Sequence, residues 1–224
     1  IRPIRASMGE RIEGEKASLV CAANLLNELN RDRALGMDAR ARKTADVLQS
    51  MSNERASILI LEPGTPPSAR DLSALRSSLL SGPWRPIAPC PHAKACPLPG
   101  GKGQKWCHFA FDDSGAPPRL QQLSAAAGIP KERVTLSFLY MTRDFGNTLS
   151  PSARSDGQSS VRVISDAFIV PAYGWGRYAC SRAGLVLLTG KKQVIDSLPS
   201  GRLFKAPAAQ GKRDARSGAW IISI

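Results

Sequence analysis

Two features of the sequence predict an α/β fold whose sheet starts parallel and ends antiparallel. Up to residue 80, apolar runs of strand length alternate with patterns of helical period, the order that builds a parallel sheet with helical crossovers. Beyond residue 160, short strand-like runs follow one another with only turn residues between them, which suits antiparallel neighbours or a small β subdomain. A hydrophobic content of 42% over 224 residues is enough to bury a core, so the chain is not a disordered basic tail.

Each element has a local reason. Ala17 to Ala23 is a short apolar run that fits a buried strand, with Cys21 as a core thiol, and a helical pattern starts at Asn24 to Leu29. Arg31 to Met51 is Ala-rich and charged, with Leu35, Ala39, Ala45 and Leu48 near helical spacing, and predicts a surface helix. Ser57 to Leu61 reads as a second buried strand, ended by Glu62, Pro63 and Gly64. A helix starts at Pro67 and Ser68 and carries Leu72, Leu75, Leu79 and Leu80 on one face. From Pro83 to Pro99 six prolines break the chain too often for a helix or a central strand. Regular structure resumes with a short helix at Pro118 to Ala127 and a strand at Val134 to Met141, and Ser150 to Ser160 is a polar stretch that predicts a mobile loop. Val161 to Val170, Gly176 to Cys180 and Gly184 to Thr189 read as strands, and Trp220 to Ile224 as an edge strand.

Charge points to a partner. Lys and Arg number 31 against 18 Asp and Glu, a net charge of +13, which exceeds what solubility alone asks of a small domain. Residues 1 to 55 hold 10 basic and 8 acidic groups, and residues 56 to 224 hold 21 and 10. The last stretch carries Arg177, Arg182, Lys191, Lys192, Arg202, Lys205, Lys212, Arg213 and Arg216 against Asp196 and Asp214. A surface of this kind meets a polyanion. The longest apolar runs fall far short of the roughly 18 residues of a membrane-spanning helix, so no membrane partner is expected. Five cysteines are too few and odd in number for a disulfide scaffold, which predicts an intracellular chain with reduced thiols. No secretory signal follows Ile1, so the chain is expected to be a processed protein or part of a longer one.

Reduced cysteines in a cluster need a further explanation. Cys90, Cys96 and Cys107 stand inside the proline-rich stretch, and Cys180 lies far downstream in RYACSRAG. Three soft ligands on an irregular loop with a fourth from a distant hairpin would close one four-thiolate site and staple the loop to the sheet. Zinc and an iron-sulfur cluster both accept such a set. Zinc sites favour closely paired cysteines, whereas the spacing here and the prolines after Cys90 and Cys96 suit a bulkier cluster. His92 and His108 stand within two residues of a cysteine and are either zinc ligands or donors to the ligands.

The runs APCPHAKACPLP (Ala88 to Pro99), WCHF (Trp106 to Phe109) and LSFLYMTR (Leu136 to Arg143), with LLNEL (Leu25 to Leu29) and LEPGTP (Leu61 to Pro66) ahead of them, carry a resemblance. Together they resemble the methyltransferase-like proteins of the small ribosomal subunit, a family of mitochondrial assembly factors with bacterial relatives. The resemblance spans roughly residues 17 to 190, and the cysteine series is its most specific part. It implies a class I methyltransferase fold, a Rossmann-like doubly wound sheet that binds S-adenosylmethionine, with a 4Fe-4S site held by Cys90, Cys96, Cys107 and Cys180. One departure stands out. The glycine-rich turn after a first strand, which would cradle that cofactor, is missing; Gly100, Gly101 and Gly103 lie within the cysteine loop and read as a flexible turn. The chain therefore reads as the C-terminal part of such a protein, strands four to seven with the metal loop inserted after the fifth.

On this reading residues 1–82 begin the C-terminal half of the core and 83–117 form the iron-sulfur loop. Residues 118–190 complete the core with the hairpin of the fourth cysteine, and 191–224 form a basic tail. Asn24, Asn27, Glu28, Glu62 and Gly64 lie at the carboxyl edge of the first two strands, either as the border of the S-adenosylmethionine pocket or as helix caps and a tight turn. The expected function is an RNA-binding assembly factor of the small ribosomal subunit, in the mitochondrial matrix or a bacterial cytoplasm. Its partners would be ribosomal RNA, the small subunit and other subunits or assembly factors. Arg177, Arg182, Lys191, Lys192, Arg202 and Lys205 would contact RNA, and Tyr173, Trp175 and Tyr178 would stack on bases or pack locally. The alternatives are an active S-adenosylmethionine-dependent ribosomal RNA methyltransferase, for which this chain alone would be inactive and no catalytic residue can be named, and a zinc-stabilised interaction module.

Overall fold

The first strand, β1 (Ala17–Ala23), pairs in parallel with β2 (Ser52–Pro63), Val20 standing opposite Ile58. Parallel neighbours need a crossover, supplied here by α1 (Leu25–Leu29) and α2 (Met37–Met51). The computed structural model describes residues 16–29, 35–102, 104–130, 132–143 and 157–224, with Arg5 and Gly14. Residues 31–34 of the predicted surface helix, Gly103 and residues 150–156 of the predicted loop lie outside this set, and the helix as described begins at Met37.

α3 (Pro66–Leu80) starts where its sequence requires. Thr65 Oγ1 accepts the amide of Ser68, and prolines occupy the first turn, where their missing N–H costs nothing. Leu72, Leu75 and Leu79 then point into a core with Ala45 and Leu48 of α2 and Ile58 and Ile60 of β2. β1 is less buried than its composition predicts. Val20 faces the helices, but Leu19, 53% exposed, and Cys21 alternate onto the other face, so Cys21 is an exposed thiol and not a core residue.

The sheet is mixed, where the alternation of strands and helices predicts a parallel one. Its order is β1-β2-β5-β3, with β3 at Arg85–Ala88 and β5 at Arg133–Thr142. β5 runs antiparallel to β2, with Leu59 opposite Tyr140. β3 and then β4 (Phe109–Asp112) run the same way along one edge of β5, and the chain turns back only after β4, so β5 enters antiparallel to both. β3 itself lies in the stretch expected to be too broken for a helix or a central strand, and it is neither. It is an edge strand, the position in a sheet that tolerates Pro86. The metal loop is accordingly inserted after this extra strand, and not directly after β2 and its helix. Both α2 and α3 pack on one face of the sheet, so the second helical layer of a doubly wound fold is not among the described residues. α4 (Pro118–Ala126) lies apart from the core with Leu120 and Leu123 exposed.

A second sheet has the order β10-β6-β8-β9-β11, with β7 paired to β8. Its strands are β6 (Gln158–Val163), β7 (Phe168–Val170), β8 (Gly174–Ser181), β9 (Gly184–Gly190), β10 (Leu203–Pro207) and β11 (Trp220–Ser223), with α5 (Lys192–Asp196) between β9 and β10. The single strand expected over Val161 to Val170 is split because Ser165 breaks the ladder: its Oγ accepts the amide of Tyr178 at 2.8 Å in place of a backbone carbonyl. β11 is the expected edge strand, parallel to β9. One face of this sheet buries Val161, Val163, Ala179, Val186 and Leu188 against Ile195 of α5. The alternation of β8 turns Tyr178 and Cys180 to the opposite face, toward the first sheet.

Candidate metal centre

The cysteine loop is held by one strand. It leaves β3 with Ala88 opposite Tyr140 and re-enters as β4 with Phe109 opposite Leu136, so both ends sit on the same edge of β5. Between them, among the described residues, only the bridge Pro99 to Trp106 has strand pairing, and side chains from the two sheets and α3 do the rest. Ser137 Oγ donates to the carbonyl of Cys107 at 2.8 Å, Arg70 Nε to Gly100 at 3.1 Å, Trp106 Nε1 to Gly64 at 2.9 Å and Arg162 Nε to Pro89 at 2.8 Å. The glycine turn is consequently not loose. Gly100 has φ +70°, and a Cβ there would come within 3.1 Å of the Pro66 carbonyl, so glycine is needed for both the conformation and the close approach to α3.

These anchors bring the four expected cysteines together. Cys90, Cys96 and Cys107 are half-buried on the loop, Cys180 is buried on β8, and none forms a disulfide. Cys96, Cys107 and Cys180 share a cluster with Leu98, Phe109 and Ile164. Burial pushes the Cys107 thiol well up, and the charges that Cys90, Cys96 and Cys180 would carry push it further. Cys180 is raised by burial, then by Cys90 and Cys96. Cys90 is raised by burial and pulled back by Arg76. The thiols are therefore electrostatic neighbours. Even so, no group of three or more His, Cys, Asp or Glu among the described residues is set to hold a metal ion.

Two arginines flank the thiols, and neither was expected at the site. Arg76, 3% exposed on α3, donates through Nε to Cys90 Sγ at 3.1 Å and through Nη2 to the His92 carbonyl at 2.7 Å, while Nη1 has no partner. Arg162 stands directly opposite Cys180 in the β6 to β8 ladder; its charge is disfavoured by burial and favoured by Cys90, Cys107 and Cys180. Among the described residues neither guanidinium meets a carboxylate. The sequence does hold a signal for Arg76: Leu72, Arg76 and Leu79 share one face of α3 at spacings of four and three, so this charge falls on the apolar stripe.

The histidines differ in role. His92 is buried with Nε2 at 3.3 Å from Cys180 Sγ, and burial followed by Arg76 pulls its pKa down to about 4, so the ring is neutral. His108 stacks on Trp106 with ring centroids 5.0 Å apart and turns Nδ1 to the Trp106 carbonyl.

The residues expected along a cofactor edge have local duties. Glu62, 2% exposed, accepts the amide of Leu26 at 2.8 Å and so caps α1. Asn24 takes φ +55° and bonds its amide to the Leu61 carbonyl, which starts that helix. Glu28 lies on α1, and the side chain of Asn27 is outside the described residues. Gly64 packs so tightly on β5 that a Cβ would fall 2.7 Å from that of Thr135.

The expected RNA contacts do not form one patch. Arg182 sits in the β8 to β9 turn, whereas Lys191 and Lys192 follow the far end of β9, roughly 20 Å away at strand rise. Lys205 on β10 lies opposite Ser160, toward the Arg182 end, and Arg202 precedes that strand. Arg177 is turned inward, donating to the carbonyls of Ile195 and Ser165 at 3.0 and 2.8 Å. Lys192 lies 4.8 Å from the centre of the Trp175 ring and pairs with Asp196, Tyr178 packs on Phe168, and Tyr173 is exposed.

A family model described as Mitochondrial small ribosomal subunit Rsm22 matches residues 2–165. The chain belongs to this family. The match takes in three of the four clustered cysteines and both flanking arginines, and stops before β8, so Cys180 lies beyond it. It also ends short of residue 190, where the sequence resemblance was expected to run. No curated protein matches the chain.

Proposed function

We propose that this chain is an RNA-binding assembly factor of the small ribosomal subunit in the mitochondrial matrix, built on a methyltransferase-like sheet and pinned by a 4Fe-4S cluster on Cys90, Cys96, Cys107 and Cys180. The family name supports the ribosomal and mitochondrial parts, and the charge of +13 supports RNA as the polyanion. The observation that carries the metal is the buried guanidinium of Arg76, with the half-buried one of Arg162, beside four thiols and with no carboxylate partner among the described residues. A buried cation needs an anion, and buried thiols are protonated until a metal takes the place of their protons. The donor set fits a cluster. Four soft thiols drawn from an irregular loop and a strand, at the spacing of Cys90, Cys96 and Cys107, support a cluster over a single zinc. When bound, the cluster supplies negative charge and a covalent link between the loop and β8.

The test is anaerobic purification with an absorbance spectrum and iron, sulfide and zinc content, on this chain and on Cys180→Ser. About four irons and four sulfides, lost in the variant, are expected; stoichiometric zinc or no metal overturns the cluster. In the methyltransferase reading, S-adenosylmethionine would lie along Asn24, Asn27, Glu28, Glu62 and Gly64. Glu62 is engaged with Leu26 and Gly64 with β5, which favours the assembly-factor reading. Calorimetric titration of S-adenosylmethionine into the full-length protein distinguishes the two, since this chain lacks the glycine-rich turn.

A further inference from the structure

Beside the four thiols lies a half-open pocket of about 160 Å3, lined by Leu98, Lys105, Trp106, His108, Ile164 and Tyr178, with Ser165 completing its edge. We infer that this pocket receives one unpaired base of a single-stranded RNA. The inference rests on the RNA-binding reading above and gives it a place.

The walls are chemically suited to a base. Trp106 and His108 are stacked with an interplanar angle of 22°, and Tyr178 presents a third ring. Leu98 and Ile164 form an apolar floor shared with the cysteine cluster. Aromatic planes over an apolar floor take the π-face of any base. His108 turns Nδ1 to the Trp106 carbonyl, which leaves Nε2 to meet a base edge. Lys105 lies 4.2 Å from the centre of the Tyr178 ring, and its exposed ammonium marks the pocket mouth as the place for a phosphate.

The surroundings favour a polyanion over a neutral ligand or an acidic peptide. From Leu72 to Phe111 the sequence has no Asp or Glu, while Lys94, Lys102 and Lys105 are exposed on this loop. The nearby Asp166 is neutralised by a two-pronged pair with Arg133. A base held in a duplex cannot enter, so the pocket selects single strands.

The test uses the full chain with its metal and a fluorescein-labelled single-stranded RNA of about ten nucleotides carrying 4-thiouridine, in about 50 mM salt. Lys105→Glu, on an exposed loop residue, and Tyr178→Leu are expected to weaken binding roughly tenfold. Lys43→Glu on α2, the same charge change elsewhere, is expected to weaken it less than threefold. Photocrosslinks are expected on the peptides holding Lys105 to His108 or Tyr178. Binding by the native chain with both pocket variants equal to Lys43→Glu, and crosslinks elsewhere, overturns the pocket and leaves the RNA reading standing. No binding by the native chain overturns both.

Discussion

Replacing Arg76 by Met tests whether the sulfurs beside it carry charge. Arg76 is almost fully buried and makes two hydrogen bonds, to Cys90 Sγ and to the His92 carbonyl. If the sulfurs are metal-bound thiolates, removing the guanidinium breaks a buried charge pair, a loss of about 3–5 kcal/mol. If the metal is stripped, the thiols are protonated, and the same guanidinium is a buried cation with Nη1 unpartnered. Met fills that volume without the charge, so the stripped variant should match or exceed the stripped native chain in stability. For a chain of this length each kcal/mol moves the melting temperature by about 2–4 °C, so the loaded variant should melt about 6–20 °C below the loaded native chain. The assay is anaerobic thermal melting by circular dichroism of both proteins, before and after chelation, with metal content measured in each. An equal loss in the loaded and stripped states would refute the reasoning, because Arg76 would then act through the His92 carbonyl and packing alone.

Other consequences are simpler to read. Cys21→Ser should keep full metal content while Cys180→Ser loses it, because Cys21 is exposed on β1 and Cys180 is buried among the other thiols; metal analysis of both variants decides this. Gly64→Ala should destabilise the fold by about 1–3 kcal/mol in a denaturant titration, since the new Cβ meets Thr135 and, at 3.0 Å, the backbone nitrogen of Leu136. The hydrogen bond from Arg133, aided by its charge, holds the Asp166 carboxyl below its usual value. That contribution is present above the unfolded carboxyl pKa of about 3.9 and is lost as pH falls through the lower folded value. Both partners are about half exposed, so Asp166→Asn should cost less than about 1 kcal/mol at pH 7, and less again in high salt, as melts across pH and salt would show.

Much of the local structure is legible in the chain itself. Thr65 and the prolines after it announce the start of α3, and the apolar runs of β2 and β5 mark the strands at the centre of the first sheet. The clustered spacing of Cys90, Cys96 and Cys107 marks the candidate centre, because soft ligands on a proline-rich loop need a reason to be together. Pro86 hides β3, since proline argues against a strand unless the strand is known to lie at an edge. Shortness hides α5 and β10, five residues each, whose buried positions are single side chains, Ile195 and Ala206.

Residue order alone thus marks most of the segments that become helix or strand, and the side chains that could ligate a metal, because those properties depend largely on neighbours within a few positions. Direction and partnership are different. That β5 runs antiparallel to β2, that it carries both ends of the cysteine loop on one edge, and that Arg162 faces Cys180 across a ladder follow from pairings between residues far apart in the chain. The burial of Arg76 and the exposure of Cys21 are decided the same way, by whether another layer covers that face. Burial is a property of the assembled layers: a stripe such as that of Leu72, Arg76 and Leu79 points to a face, and only the layer packed on it decides whether the face is covered.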